Sequence, residues 1–188
     1  IHEKYKKIDV LINNACLDYV PKKIKKNFVN NSFINYSIKR LNKEINVGLT
    51  GALICSQLVG SIMLKYKSGI IINIGSDLSI IAPNQSLYKH MNIIKPVGYS
   101  LVKSGLHGLT RYLASLWGEK GLRINTLSPG GIENNQDKKF VNKLKQIIPM
   151  KRMAKKNEYN EVIKFLCTDS SAYMNGHNLI IDGGRTII

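Results

Sequence analysis

Tyr99 and Lys103, in the run Tyr-Ser-Leu-Val-Lys, stand four residues apart, a spacing that on a helix sets a phenol and an ammonium on one face. A free phenol titrates at about 10 and is a poor proton donor or acceptor at neutral pH, whereas a nearby ammonium favours the phenolate and lowers that value. Ser76 closes the apolar run Gly69–Gly75 and adds a hydroxyl. Such a hydroxyl can hold a substrate oxygen while the tyrosine passes a proton and hydride moves to or from the adjoining carbon. The chemistry this predicts is carbonyl and alcohol redox. A second Tyr-x-x-x-Lys, Tyr19 to Lys23, contains Pro21 in a basic stretch, which argues against helical geometry there. His2, His90, His107 and His177 show no ligand spacing, and Cys16, Cys55 and Cys167 lie far apart, so neither a metal site nor a disulfide framework is expected. His90 and Tyr88 are candidates for substrate contact, with an exposed loop as the plainer account.

The elements that must position these groups are legible as alternating runs. Ile8 to Asn13, Gly69 to Gly75, Leu122 to Leu127 and Asn178 to Ile181 are short apolar segments that each stop at a polar or glycine-rich turn, the pattern of buried strands. Helical spacing fills about 38–66, 99–118 and 158–169. Strands alternating with helices imply parallel pairing through right-handed crossovers, hence a doubly wound α/β sheet with helices on both faces. In such sheets chemistry gathers at the carboxyl ends of the strands. Here those ends offer Asn13-Asn14-Ala15, Gly75-Ser76, Pro129-Gly130-Gly131 and Asp182-Gly183-Gly184.

The composition is compatible with one domain over residues 1–188: 44% of the residues are apolar and 21% charged. The formal net charge is +16, mostly from lysine. The densest basic runs, Lys22 to Lys26 and Lys151 to Lys156, carry few aromatics of the kind that stack on bases, so they are read as solvated faces and no nucleic-acid partner is expected. The longest apolar stretch, Ala52 to Leu64, is broken by Ser56, Gln57 and Ser61 and is short for a bilayer span. A soluble cytoplasmic protein with no membrane partner is expected.

In these motifs and their order the sequence resembles the short-chain dehydrogenase/reductase family, from Ile8 onward. Asn13-Asn14-Ala15 is similar to that family's Asn-Asn-Ala-Gly motif, with Cys16 where glycine is usual. The resemblance implies a Rossmann-like fold and NAD or NADP as cofactor. It also implies a catalytic set of Ser76, Tyr99, Lys103 and Asn46, the last holding a water in a proton relay. It assigns cofactor contacts to Asn13, Ala15, Tyr99, Lys103, Pro129, Gly130 and Ile132. A homodimer or homotetramer through the helices at 38–66 and 99–118 is implied as well.

Two departures carry information. Ser76 and Tyr99 lie 23 positions apart, more than is usual in the family, and the added residues are expected to sit over the site and shape its pocket. Together with Ser-Pro-Gly-Gly-Ile and Asp-Gly-Gly-Arg-Thr, they resemble flagellin-modification oxidoreductases of legionaminic-acid-type sugar synthesis, which implies an amino-sugar phosphate or nucleotide sugar as small-molecule substrate. The second departure is that the sequence, which starts at Ile1, contains no Thr-Gly-x-x-x-Gly-x-Gly turn of the kind that cradles a pyrophosphate. The expectation is therefore the carboxyl-terminal two thirds of the family fold, its first strands missing. The alternative is a truncated, non-catalytic remnant or interaction subunit of the same fold.

Overall fold

Four apolar runs pair into one parallel sheet, in the order β1-β2-β3-β4, in the computed structural model, which describes residues 2–18 and 32–188. The chain runs α1 (His2–Tyr5), β1 (Val10–Asn13), α2 (Ile38–Ile45), α3 (Gly51–Tyr66), β2 (Gly69–Ile74), α4 (Val97–Trp117), β3 (Leu122–Pro129), α5 (Lys138–Gln146), α6 (Asn160–Cys167) and β4 (Asn178–Ile181). The Tyr19 to Lys23 motif and the basic run Lys22 to Lys26 lie outside the described residues.

The central strands β2 and β3 pair from Gly69↔Leu122 to Ile74↔Leu127 and are buried on both faces, which is why they read as nearly continuous apolar runs. Alternate side chains go to opposite layers. Leu11, Ile71 and Ile124 meet Met63, Leu113 and Trp117 of α3 and α4, while Ile70, Ile72 and Leu127 meet Val162 and Leu166 of α6. Helices therefore cover both faces, as the alternation of runs requires. A second device ties the first layer together. Asn13 donates to Asn73 (2.8 Å) and Ser56 (3.1 Å), Asn73 donates to Thr110 (2.8 Å), and Thr110 meets Thr126 (2.7 Å). This buried polar chain crosses the carboxyl halves of β1, β2 and β3.

The long helical segment expected at 38–66 is continuous, with a π-helical turn at Asn46–Thr50 between α2 and α3. By length and composition Ile38–Tyr66 is apolar and long enough to cross a membrane, a correction to the shorter stretch expected from its serines. In the fold its Gly48, Ala52, Ser56, Gly60 and Met63 side is buried. A Cβ at Gly60 would stand 2.6 Å from the Trp117 ring, so glycine is what lets α3 approach α4. Helix α4 begins at Val97, directly after Pro96, earlier than its periodicity suggests. Helix α5 is absent from the expectations above. The Asp137 carboxylate caps it by accepting the Phe140 N–H (2.9 Å). Its Phe140, Val141 and Leu144 bury against Leu87, Tyr88 and Ile93 from the segment between Ser76 and Tyr99. That segment, three short 3-10 turns, and α5 together build a small second core beside the strand ends.

Candidate active site

Strand β2 delivers Ser76. Gly75 donates its N–H to the Leu127 carbonyl (2.8 Å), and a Cβ at Gly75 would stand 2.5 Å from Ser128 Oγ, so the strand end hugs β3 and turns Ser76 into a cleft. The serine hydroxyl accepts the Leu78 N–H (3.2 Å) and donates to Asp77 Oδ1 (2.9 Å). Ser76 thus caps its turn and lines the cleft at once. Asp77 spends its other oxygen on Arg185 Nη1 (2.6 Å), an ion pair in which both side chains are buried.

Helix α4 delivers Tyr99 in its first turn and Lys103 one turn on. Tyr99 lines the same cleft as Ser76. Lys103 is buried and donates to the Ile74 carbonyl (2.6 Å), with its ammonium 5.8 Å from the centre of the Tyr99 ring. A different cation lies nearer. Lys95 sits 3.9 Å over that ring and is held there by Asp18. Pro129, Gly130 and Ile132 form the facing edge of the same cleft, whose volume is about 370 Å³ and which Leu78, Tyr88 and Phe140 also line. Gly130 is obligatory there, because a Cβ would stand 2.7 Å from Asp182 Cα.

The electrostatics differ from the local rule. Burial first, then the Asp18 carboxylate, push the Tyr99 phenol above its ordinary value, with Cys16 and Asp77 adding to the rise and the nearby Ser76 hydroxyl opposing it. The expected lowering by Lys103 does not prevail. Burial likewise pushes the Lys103 ammonium below its usual value, Cys16 and Asp18 opposing. The phenol is therefore a neutral hydrogen-bond donor at neutral pH in this geometry.

The sequence-derived residues divide in two. Ser76, Tyr99, Lys103, Pro129, Gly130 and Ile132 converge. Asn46 does not. It is exposed, and the residue of its turn that faces α4 is the buried Gly48, at which a Cβ would stand 2.5 Å from Val102 Cγ1 and 3.6 Å from Cys16. Asn46 opens the π turn, and its carbonyl accepts the Gly51 N–H. The Asn13 side chain is also turned from a cofactor. Its amide is consumed inside the α3 layer, which leaves the backbone at the end of β1 and the exposed Ala15 as the parts that can meet a ligand. Tyr88 packs against Phe140 with ring centres 5.3 Å apart and lines the cleft, whereas His90 pairs with Asp137 at 2.7 Å. Sequence reasoning missed Asp18, Asp77, Lys95 and Arg185. The insertion and the Asp-Gly-Gly-Arg turn were the available signals, and neither shows its partner locally.

Comparison with known proteins places these observations. The family model described as enoyl-(acyl carrier protein) reductase matches residues 1–186. The post-translational flagellin modification protein A of Campylobacter coli is 28% identical over 182 residues, covering 97% of this chain and 69% of that protein. A 3-oxoacyl-[acyl-carrier-protein] reductase of Synechocystis is 30% identical over 188 residues, covering 98% of this chain and 68% of that protein. The crystal structure of a short chain dehydrogenase from Leptospira borgpetersenii with bound NAD+ superposes with a TM-score of 0.86 at 29% identity, covering 98% of this chain and 67% of that one. The chain thus spans about two thirds of the length of these relatives.

Proposed function

Because the chain belongs to the short-chain dehydrogenase/reductase family, we propose that it is an NAD(P)-dependent oxidoreductase interconverting an alcohol and a carbonyl in the cleft between Ser76, Tyr99 and Pro129. The single observation that carries the reading is that Ser76 and Tyr99 line one cleft, with the Lys103 ammonium 5.8 Å from the centre of the Tyr99 ring. The substrate in this reading is an amino-sugar phosphate or nucleotide sugar of bacterial surface-glycan or flagellin modification, a context supported by the Campylobacter coli relative.

The donor set fits the nicotinamide and ribose end of such a cofactor. The Tyr99 phenol stands on one wall with the Lys103 ammonium behind it, and the peptide edge from Pro129 to Ile132 also lines the cleft. The sequence holds no glycine-rich pyrophosphate turn, so the fit covers that end. When bound, the cofactor supplies or accepts the hydride. The residues of the chain handle the oxygen and the proton. Ser76 hydrogen-bonds the reacting oxygen, and Tyr99, neutral because it is buried near Asp18, donates its proton to that oxygen in the reductive direction. Lys103, anchored on Ile74, favours the phenolate left behind. We place the protein in the cytoplasm as a homodimer or homotetramer, with the exposed Leu53, Ile54 and Leu58 of α3 and Leu101, Tyr112 and Leu116 of α4 as the apolar surface available for pairing.

The test is Tyr99→Phe in the complete protein. Turnover of NAD(P)H with a panel of keto-sugars is expected to fall by about 100- to 10,000-fold, the usual share of general acid catalysis, with cofactor binding kept. Turnover within a few-fold of the parent protein refutes the assignment.

A further inference from the structure

We propose that the cleft holds an anionic group of the substrate, a carboxylate or a phosphate, between Arg185 and Lys95. This rests on the reading of the cleft as the substrate site and specifies what that site recognises.

Three observations carry it. First, Arg185 is 6% exposed and lines the cleft, yet among the described residues its guanidinium has one hydrogen-bond partner, Asp77, and its Nε is buried with none. A guanidinium presents a planar fork suited to two oxygens at once, and a buried N–H without an acceptor is costly. A buried ion pair is also a weak source of stability compared with apolar packing, so stability alone does not account for Asp77–Arg185. Second, Lys95 is 7% exposed, lines the same cleft and is posted 3.9 Å over the ring of Tyr99. An ammonium with several donors can keep Asp18 and still meet a second anion. Third, the sign of the lining favours an anion. Lys95, Lys156 and Arg185 face two carboxylates, Asp18 and Asp77. Neither of the buried cations belongs to the Ser-Tyr-Lys machinery. One comes from the insertion before α4 and the other from the turn after β4, so both are free to serve recognition.

The geometry sets a requirement on the ligand. The cation over Tyr99 lies beside the reacting oxygen, and so the anionic group must sit a short distance along the substrate from the carbon that exchanges hydride. A neutral sugar would leave both cations with their present partners and gain nothing from them.

The test uses calorimetric titration of the complete protein with N-acetylglucosamine 6-phosphate, glucuronate and N-acetylglucosamine, each with and without saturating NADH. At least one charged sugar is expected to bind about 10- to 100-fold more tightly than the neutral one, the range for hydrogen bonds to charged groups. Which charged sugar is favoured separates phosphate from carboxylate. The preference should vanish in Lys95→Met and in the double variant Asp77→Asn/Arg185→Met, which leaves no uncompensated buried carboxylate and so keeps the fold. Equal binding of charged and neutral sugars, no binding of either charged sugar, a preference unchanged in both variants, or a preference abolished by NADH each overturns the proposal. Tyr99→Phe should keep the preference while losing turnover. Failure of the anion site and failure of the redox reading are thereby told apart.

Discussion

Replacing Asn73 by leucine removes the middle link of the buried polar chain while nearly conserving volume. The Asn73 carbonyl accepts from Asn13 and its amide donates to Thr110, both at 2.8 Å, with the residue fully buried. Two hydrogen bonds disappear, each worth roughly 0.5–1.5 kcal/mol net. The stranded partners lessen the further penalty, because Asn13 keeps Ser56 and Thr110 keeps Thr126. One incompletely satisfied group adds about 1–3 kcal/mol. Partial offset by the apolar side chain leaves an expected loss of about 2–4 kcal/mol. For a protein of this size that lowers the melting temperature by roughly 4–16 °C. Urea unfolding followed by circular dichroism measures the loss. A cycle with Asn13→Leu tests the cause, since removing both partners should cost clearly less than the sum of the single losses. Additive losses, or a single loss below about 0.5 kcal/mol, would show that the chain of amides and hydroxyls does not hold the three strand ends together.

Two further expectations follow from charge. Asp18 is the largest charged contributor to the raised phenol of Tyr99, so Asp18→Asn should bring that phenol down and move the alkaline rise of alcohol oxidation to lower pH, measured as a pH profile of turnover; a shift to higher pH would refute the assignment. Glu158 is held down to about 2, first by its hydrogen bonds from Arg152 and then by the Lys155 N–H. A folded value below the unfolded one gives stability that is present above the ordinary glutamate value and lost as pH falls towards 2. Glu158→Gln should therefore lower stability slightly at pH 7, flatten its fall across that acid window and leave it unchanged near pH 2, as read by urea midpoints.

What the sequence discloses and what it conceals divide along the range of the interactions. Strands β2 and β3 declare themselves through nearly continuous apolar runs and helix α4 through its helical spacing. The serine, tyrosine and lysine of the site lie at the ends of those runs, where local pattern finds them. Helix α5 stays hidden because lysines crowd its surface face and leave Phe140, Val141 and Leu144 as a sparse stripe. Asn46 is found through its short motif alone, and the π turn that it opens has no local signature in the sequence. The acidity of Tyr99 is set by burial and by Asp18, which is distant in sequence and near in space, so local spacing does not disclose it. Asp77 and Arg185 are paired across the fold, so neither shows its partner locally.

That last pairing has a consequence for how the protein is made. Asp77 leaves the ribosome 108 residues before the guanidinium that neutralises it. Until translation reaches that arginine, the nascent turn bearing Ser76 carries an unmatched carboxylate that favours contact with water over the closed interior. The turn bearing Ser76 thus depends on a residue four positions past the end of the last strand. A synthesis that stops just short of that residue would yield a chain with every strand in place and an unfinished pocket.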